Sequence, residues 1–313
     1  MANVTLVSGF LLVGFSDDPK LQVLHGVLFL VIYSAAVMSN LLLITLITLD
    51  LQLHAPMYFF LKNLSSLDVF LVSVPIPKFI VNSLTHSYFI SILGCAFQLL
   101  LMTSFSAGEI FILTAMACDR YIAVCYPLHY GVIMNGSTCV LMASASWAIG
   151  GLFGAVYTAG TFSMPFCGSN VIPQFFCDVS SLLRISSSET LVVVYASIGI
   201  GMCLCVSCFI CIMISYIYIF STVLKIPTTK GQSKAFSTCF PHLTVFTVFV
   251  ITACFVYLKP SSNAPSVMDQ LLSVIYTVIP PILNPAIYSL RNKDMKGALM
   301  RLLSKIQHEA QSI

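Results

Sequence analysis

The sequence predicts an all-α membrane protein: a seven-transmembrane helix bundle followed by a short amphipathic C-terminal helix. Three observations carry this. Of 313 residues, 58% are hydrophobic and only 8% are charged, whereas soluble domains carry about 25% charged residues. The apolar residues gather in seven runs, each near the roughly 20 residues that a helix needs to cross a bilayer. A basic helical pattern then closes the chain. A water-soluble fold of this length could not cover its surface with so few charges, so most of its solvent is lipid. The net charge of +3 comes with no basic cluster, and no nucleic-acid partner is expected. The chain reads as one unit over 1–313: an N-terminal segment (1–24), a helix bundle (25–290) and a tail helix (291–313).

The runs follow in order. Residues 26–49 carry no charge, and Asp50 closes them. Residues 57–83 hold Asp68 in mid-run, Lys78 near the end, and Pro75 and Pro77, which loosen or kink a helix. Residues 93–121 contain one interior acid, Glu109, and end on Asp119-Arg120. Residues 139–162 contain Trp147, the one tryptophan of the chain. Residues 163–190, with Pro165, Cys167, Pro173, Cys177, Asp178, Arg184 and Glu189, read as a long polar loop. Residues 191–219 form the fifth run. A short basic loop with Lys225, Lys230 and Lys234 leads to the sixth, 236–258, and 270–290 is the seventh. Beyond it Met295, Leu299, Leu302, Leu303 and Ile306 recur at helical spacing between Lys293, Lys296, Arg301 and Lys305, the pattern of a basic helix lying on a membrane surface.

Seven spans place the termini on opposite sides, and the positive-inside rule decides which. One set of loops holds ten cations (Lys62, Arg120, Lys225, Lys230, Lys234, Arg291, Lys293, Lys296, Arg301 and Lys305); the other holds four (Lys20, Lys78, Arg184 and Lys259). The C-terminus is therefore expected in the cytoplasm and the N-terminus outside. Asn3-Val4-Thr5 is then an accessible glycosylation sequon, while Asn63 and Asn135 lie at or inside the inner membrane edge. Asp17, Asp18 and Pro19, with no basic segment ahead of them, do not resemble a cleavable signal; the first span is expected to direct its own insertion. Cys95, Cys167 and Cys177 fall in the oxidising compartment. Cys203, Cys205, Cys208 and Cys211 crowd the fifth run, but CLCVSCFIC lacks the paired turns of a zinc knuckle and has no neighbouring His; they read as small apolar residues.

Five stretches, in order and each at the matching end of a span, carry a resemblance: LHAPMYFFLKNLSSLD (Leu53 to Asp68), MACDRYIAVCYPLHY (Met116 to Tyr130), Ser215-Tyr216, KAFSTCFPHL (Lys234 to Leu243) and PPILNPAIYSLRN (Pro280 to Asn292). Over nearly its whole length the chain resembles an olfactory receptor of the tetrapod-type (class II) group, within the rhodopsin-like G-protein-coupled receptors. The resemblance implies a small volatile ligand bound from outside. It also implies coupling to a heterotrimeric G protein of the olfactory stimulatory type, a rise in cyclic AMP, and a place in the plasma membrane of olfactory cilia. A receptor of the same family for a non-odorant molecule outside the nose is the alternative. A transporter would need an internal repeat or broken helices lining a path, and neither is evident. No nucleophile–base pair or phosphate loop suggests an enzyme.

The resemblance also assigns roles. Asp119 and Arg120 would form a resting-state pair whose opening frees Arg120 for the G protein, a two-state element that ligand biases; without the resemblance they read first as a solvated pair marking the membrane edge. Tyr216 and Tyr288 would re-pair as the bundle opens. Cys95 and Cys177 would join the third span to the outer loop. Cys167 lacks its usual partner, since Ser187 stands where the second thiol is expected. Asp68 and Glu109 are buried acids in lipid; with Asn284 they hold either a cation, sodium in related receptors, or a neutral hydrogen-bonded cluster. No other cofactor is expected.

For the ligand, helix rise puts Ser106 about 16 Å below Cys95, and Met102, Thr103, Ser106 and Ala107 form an inward stripe. By resemblance Ile200 and Leu204, Val250, Ala253 and Tyr257, and Thr277 face it. Such a pocket is apolar with a few hydroxyls. Departures from the family pattern fall at Ser39, Cys118 (beside the switch pair), Pro241 and Phe249-Val250-Ile251.

Overall fold

The computed structural model describes residues 9–164, 166, 170–186, 191–257 and 267–311; Asn3, Cys167 and Ser187 lie outside them. The chain begins with strand β1 (Gly9–Leu12). Helix α1 (Pro19–Leu49) starts ahead of the expected span because Asp18 caps it, its side chain accepting from the Lys20 amide at 2.9 Å with Pro19 in the first turn. A 3-10 turn at Leu51–Leu53 leads to α2 (Pro56–Ser73) and α3 (Ile76–Thr85). These two form one crossing, broken at Val74-Pro75, where proline supplies no N–H. Strand β2 (Phe89–Ser91) precedes α4 (Ile92–Cys125), capped by Ser91. Then come α5 (Tyr130–Ile133) and α6 (Gly136–Phe162). The loop expected over 163–190 carries strand β3 (Val171–Ile172) and helix α7 (Val179–Ile185). The chain continues with α8 (Leu191–Val223), α9 (Thr229–Tyr257), α10 (Val267–Arg291) and α11 (Lys293–Gln311).

Among the described residues, six helical stretches are long and apolar enough to cross a membrane, with α2 and α3 counted as one. In α9 the apolar part is shorter, Cys239–Thr252. The expected all-helical class therefore holds with one addition, a three-stranded sheet. β1 is its central strand, antiparallel to β2 (Phe10 opposite Ile90) and parallel to β3 (Leu12 opposite Ile172). The segment expected to be an outer tail is thus built into the cap over the end of the bundle where the chain begins. Phe15 continues the seal, with its ring centroid 5.3 Å from Phe79 and 5.5 Å from Phe175.

Inside the bundle, proline creates one contact. Pro285 has no N–H, so the Pro281 carbonyl four residues earlier loses its helical donor. Asn40 of α1 supplies one, donating to Pro281 O at 2.8 Å and to Ala36 O at 3.0 Å. Trp147 Nε1 donates to Asn63 Oδ1 at 3.1 Å, tying α6 to α2. Helices α4 and α6 touch backbone to backbone: a Cβ placed on Gly154 would lie 2.8 Å from Leu100 O, and one on Gly150 would lie 2.6 Å from Ser104 O. Small residues four apart permit such approach in a membrane, where packing rather than water exclusion joins helices. The tail helix docks by burying Met295 and Ala298 and by the Arg301–Asp50 ion pair at 2.6 Å. Met300 and Leu303 stay exposed, an apolar edge turned away from the bundle.

Gly154→Val is expected to destabilise the bundle by about 1–3 kcal/mol, the usual range for overpacking. Gly151→Val, with nothing within 4 Å of its added carbon, is expected to leave stability unchanged. Thermal unfolding of the detergent-solubilised protein compares the two.

Candidate switch site and ligand space

Near the C-terminal end of α4 the Asp119 carboxylate is fully buried and both its oxygens are engaged. Oδ2 accepts from Arg120 Nη2 at 2.5 Å and Nε at 3.0 Å. Oδ1 accepts from the Tyr130 hydroxyl at 2.7 Å. Tyr130 reaches it because the chain turns through Pro127 and His129 into α5, folding the loop back under α4. Burial, and then the Asp119 carboxylate, push the Tyr130 phenol above its ordinary range, so it remains a donor across physiological pH. Tyr130 closes the charged stretch in the sequence; composition alone did not single it out.

Beside this pair, α8 and α9 meet through Tyr216 and His242, both buried. His242 Nε2 lies 3.0 Å from the Leu113 carbonyl of α4, and Nδ1 lies 2.6 Å from the Tyr216 hydroxyl. A carbonyl only accepts, so Nε2 carries the proton, and in the neutral ring Nδ1 accepts from Tyr216. One imidazole thus joins three helices. The signal for it in sequence was a lone histidine inside an apolar run. Tyr288 of α10 is 2% exposed, and its hydroxyl has no hydrogen-bond partner in the structure. Of the four residues assigned to the switch, Asp119 and Arg120 are paired, Tyr216 is held by His242, and Tyr288 is poised without a partner. Cys118 lies near Cys211 of α8.

Deeper in the bundle Asn284 Nδ2 donates to both oxygens of Asp68, at 3.1 and 3.0 Å. The Glu109 carboxyl is within side-chain hydrogen-bonding reach of Asp68. Both acids are buried, and Oε1 of Glu109 accepts no hydrogen bond. These three side chains present carboxyl and amide oxygens, the hard donors that alkali and alkaline-earth cations prefer.

At the opposite end Cys95 and Cys177 form a disulfide between α4 and the loop before α7. Gln98, one turn below, fixes the same loop: its Oε1 accepts from the Cys177 amide at 2.8 Å, and its Nε2 donates to Val74 O at 3.4 Å. Beneath this lid the expected ligand residues divide. Thr103, Ser106, Ala107, Leu204 and Val250 are half-buried. Met102 is buried among Phe29, Phe79, Phe175 and Val278, on the α1–α2 side. Thr277 is buried, but its hydroxyl turns back to Ser273 O at 2.7 Å. Ala253 and Tyr257 lie on α9, in a part whose side chains are outside the description. Ile200 is corrected: it is 55% exposed. The buried face of α8 runs through Val194, Ser197, Cys208 and Ile212 and turns Ile200 aside. Because α8 is apolar all round, its sequence carried no helical phase. Tyr276 of α10, absent from the expectation, lies near Ser106. A cleft of about 500 Å³ on the outer flank between α2 and α6, at Phe59, Asn63 and Trp147, includes none of the expected ligand residues.

Tyr130→Phe is expected to cost about 1.5–3 kcal/mol, the range for a hydrogen bond to a charged group, read as lowered thermal stability. Cys95→Ser and Cys177→Ser are each expected to cost about 2–4 kcal/mol, with the double variant no worse than either single one. Additive losses would show that the two sulfurs act separately.

The sequence profile of the olfactory receptor family matches residues 29–306. Olfactory receptor 14A2 of Homo sapiens is 80% identical over 305 residues, covering 97% of both chains. Olfactory receptor 14A16 of Homo sapiens is 54% identical over 303 residues, covering 97% of this chain and 98% of the relative. Among solved structures, squid rhodopsin superposes with a TM-score of 0.73 at 16% identity, covering 92% of this chain and 87% of that one; at that identity the likeness speaks for the fold. The bundle, the paired acid and base at the end of α4 and near full-length relatives place the chain among multi-pass membrane receptors rather than enzymes, and it belongs to the olfactory receptor family of G-protein-coupled receptors.

Proposed function

We propose that this chain is an odorant-activated receptor that takes up a small, mostly apolar volatile in the outer half of its bundle. It then activates a stimulatory G protein of the olfactory type and raises cyclic AMP. The observation that carries the reading is the closed Asp119–Arg120–Tyr130 cluster at 2.5 and 2.7 Å: a cation held in reserve at the end where the basic loops gather. Opening the cluster releases a guanidinium that can meet carbonyls at the end of a partner helix. Around it, Leu128 is 93% and Val132 75% exposed, an apolar surface that suits a protein partner. In this reading that face is cytoplasmic, the N-terminus with its Asn3 sequon is extracellular, and the receptor resides in olfactory cilia.

The lid over the ligand space is the β1–β2–β3 sheet, pinned by Cys95–Cys177 and Gln98. The half-buried stripe of Thr103, Ser106 and Ala107 offers apolar contact with a few hydroxyls, which favours neutral ligands over charged ones. Asp68, Glu109 and Asn284 form a candidate sodium site that ties α2, α4 and α10 in the resting state. Lipid contacts the exposed apolar faces of α1, α6 and α8 and the free edge of α11.

Co-expression with an olfactory-type stimulatory G protein and a screen of volatiles for cyclic AMP tests the proposal. Responses to a subset of volatiles are expected, and Arg120→Ala is expected to abolish them. A response that survives Arg120→Ala unchanged removes Arg120 from the switch. For the cation, sodium chloride is expected to raise thermal stability above an equal concentration of choline chloride, because a ligand bound to the native state alone stabilises it. Asp68→Asn should erase the difference; equal stability in both salts for the native sequence rejects the site.

A further inference from the structure

Helix α10 is fastened to α2 at two levels. The first is Asn284 on Asp68. The second lies at the end of α10, where the buried Tyr58 of α2 meets Asn292 and Asp294. The Tyr58 hydroxyl oxygen accepts from Asn292 Nδ2 at 3.0 Å, and its proton faces Asp294 Oδ2 at 3.1 Å and Asn292 Oδ1 at 3.3 Å. Asn292 Oδ1 in turn accepts from the amides of Asp294 at 2.9 Å and Met295 at 3.3 Å, in the first turn of α11. At the rise of an α-helix the two fastenings are about 12 Å apart along α10 and about 15 Å apart along α2. Between them α10 holds Pro285, which leaves a gap in the helical ladder, and Tyr288, whose hydroxyl is buried without a partner. That segment is thus held at both ends and weakened in between. Helix α2 is the fixed side: Phe60, Leu61, Leu64 and Leu67 are buried, and Asn63 is bonded to Trp147 of α6.

We propose that Tyr58 is a positioning residue whose hydroxyl pins the C-terminal segment of α10, Tyr288 included, against α2 in the resting receptor. Without that hydroxyl the Asn284–Asp68 fastening remains, and the segment turns about the gap at Pro285. The start of α11 is carried along, because the Asn292 side chain both caps α11 and bonds Tyr58. The far part of α11 stays on Asp50 through Arg301. This is a second restraint on the bundle, placed on different helices from the Asp119–Arg120 pair. Its effect on signalling rests on the proposed function; the fastening itself does not.

Hydrogen–deuterium exchange of the purified receptor in detergent tests the fastening without ligand or G protein. Tyr58→Phe keeps the buried ring and removes the hydroxyl alone. It is expected to speed amide exchange over residues 288–295 about fivefold, the equivalent of one ordinary hydrogen bond, and to leave residues 270–280 at the native rate. Asp294→Asn keeps an acceptor oxygen for the phenol and is expected to exchange as the native chain does, whereas Asp294→Ala is expected to match Tyr58→Phe. Native exchange in Tyr58→Phe, or equal exchange in Asp294→Asn and Asp294→Ala, overturns the fastening. The Asp294 pair also serves should Tyr58→Phe fold poorly. In cells, with variants matched for surface amount, basal cyclic AMP is expected to rise about fivefold in Tyr58→Phe, a gain that lost stability alone does not give. A basal signal that Asp119→Asn raises and Tyr58→Phe does not overturns the role of Tyr58 in signalling. A receptor silent in every variant contradicts the proposed function, and the exchange rates then decide on the fastening by themselves.

Discussion

An ionised carboxylate sealed away from water must find its hydrogen bonds inside the protein. Asp119 finds them in Arg120 and Tyr130, and much of the inner end is arranged around that requirement. The guanidinium is folded back on its own helix rather than extended. The loop after α4 is curled so that Tyr130 can donate. His242 of α9 is drawn in beside the cluster and bonded to the α4 backbone, with Tyr216 of α8 behind it. In the proposed function, a partner able to offer Arg120 better acceptors would compete directly with Asp119.

The same constraint recurs at several polar groups in the bundle interior. Asn40 is placed where Pro285 strips a donor from the Pro281 carbonyl. Trp147 spends its N–H on Asn63. Asn284 divides its amide between the two oxygens of Asp68. Among the buried polar atoms without a hydrogen-bond partner are the Tyr288 hydroxyl and Glu109 Oε1. The outer end follows a different logic. There a disulfide, a small sheet and an aromatic cluster fix the lid, and the freedom to rearrange sits below it.

Much of this was legible from residues alone. Low charge and seven apolar runs indicated the bundle, and Asp119-Arg120, Cys95 and Asp68 stood out because charge or a thiol at those depths needs a reason. What was not legible depended on helical phase and long-range contact. Helix α8 is apolar on every side, so nothing in it told Ile200 from a residue facing inward. Gly9–Leu12 is too short to announce a strand, and its partners lie at Phe89 and Val171. Tyr130 and His242 each sat in plain view as polar residues; their partners, Asp119 and Leu113, are set by how the helices meet.

The central claim is that the Asp119 carboxylate restrains Arg120 in the resting receptor. Basal cyclic AMP in cells expressing Asp119→Asn, matched to the native receptor for surface amount, tests it most directly. The amide is nearly the same size but carries no charge to hold the guanidinium, so basal signalling is expected to rise above that of the native receptor. Basal signalling that stays at the native level with the variant at the surface would contradict the account.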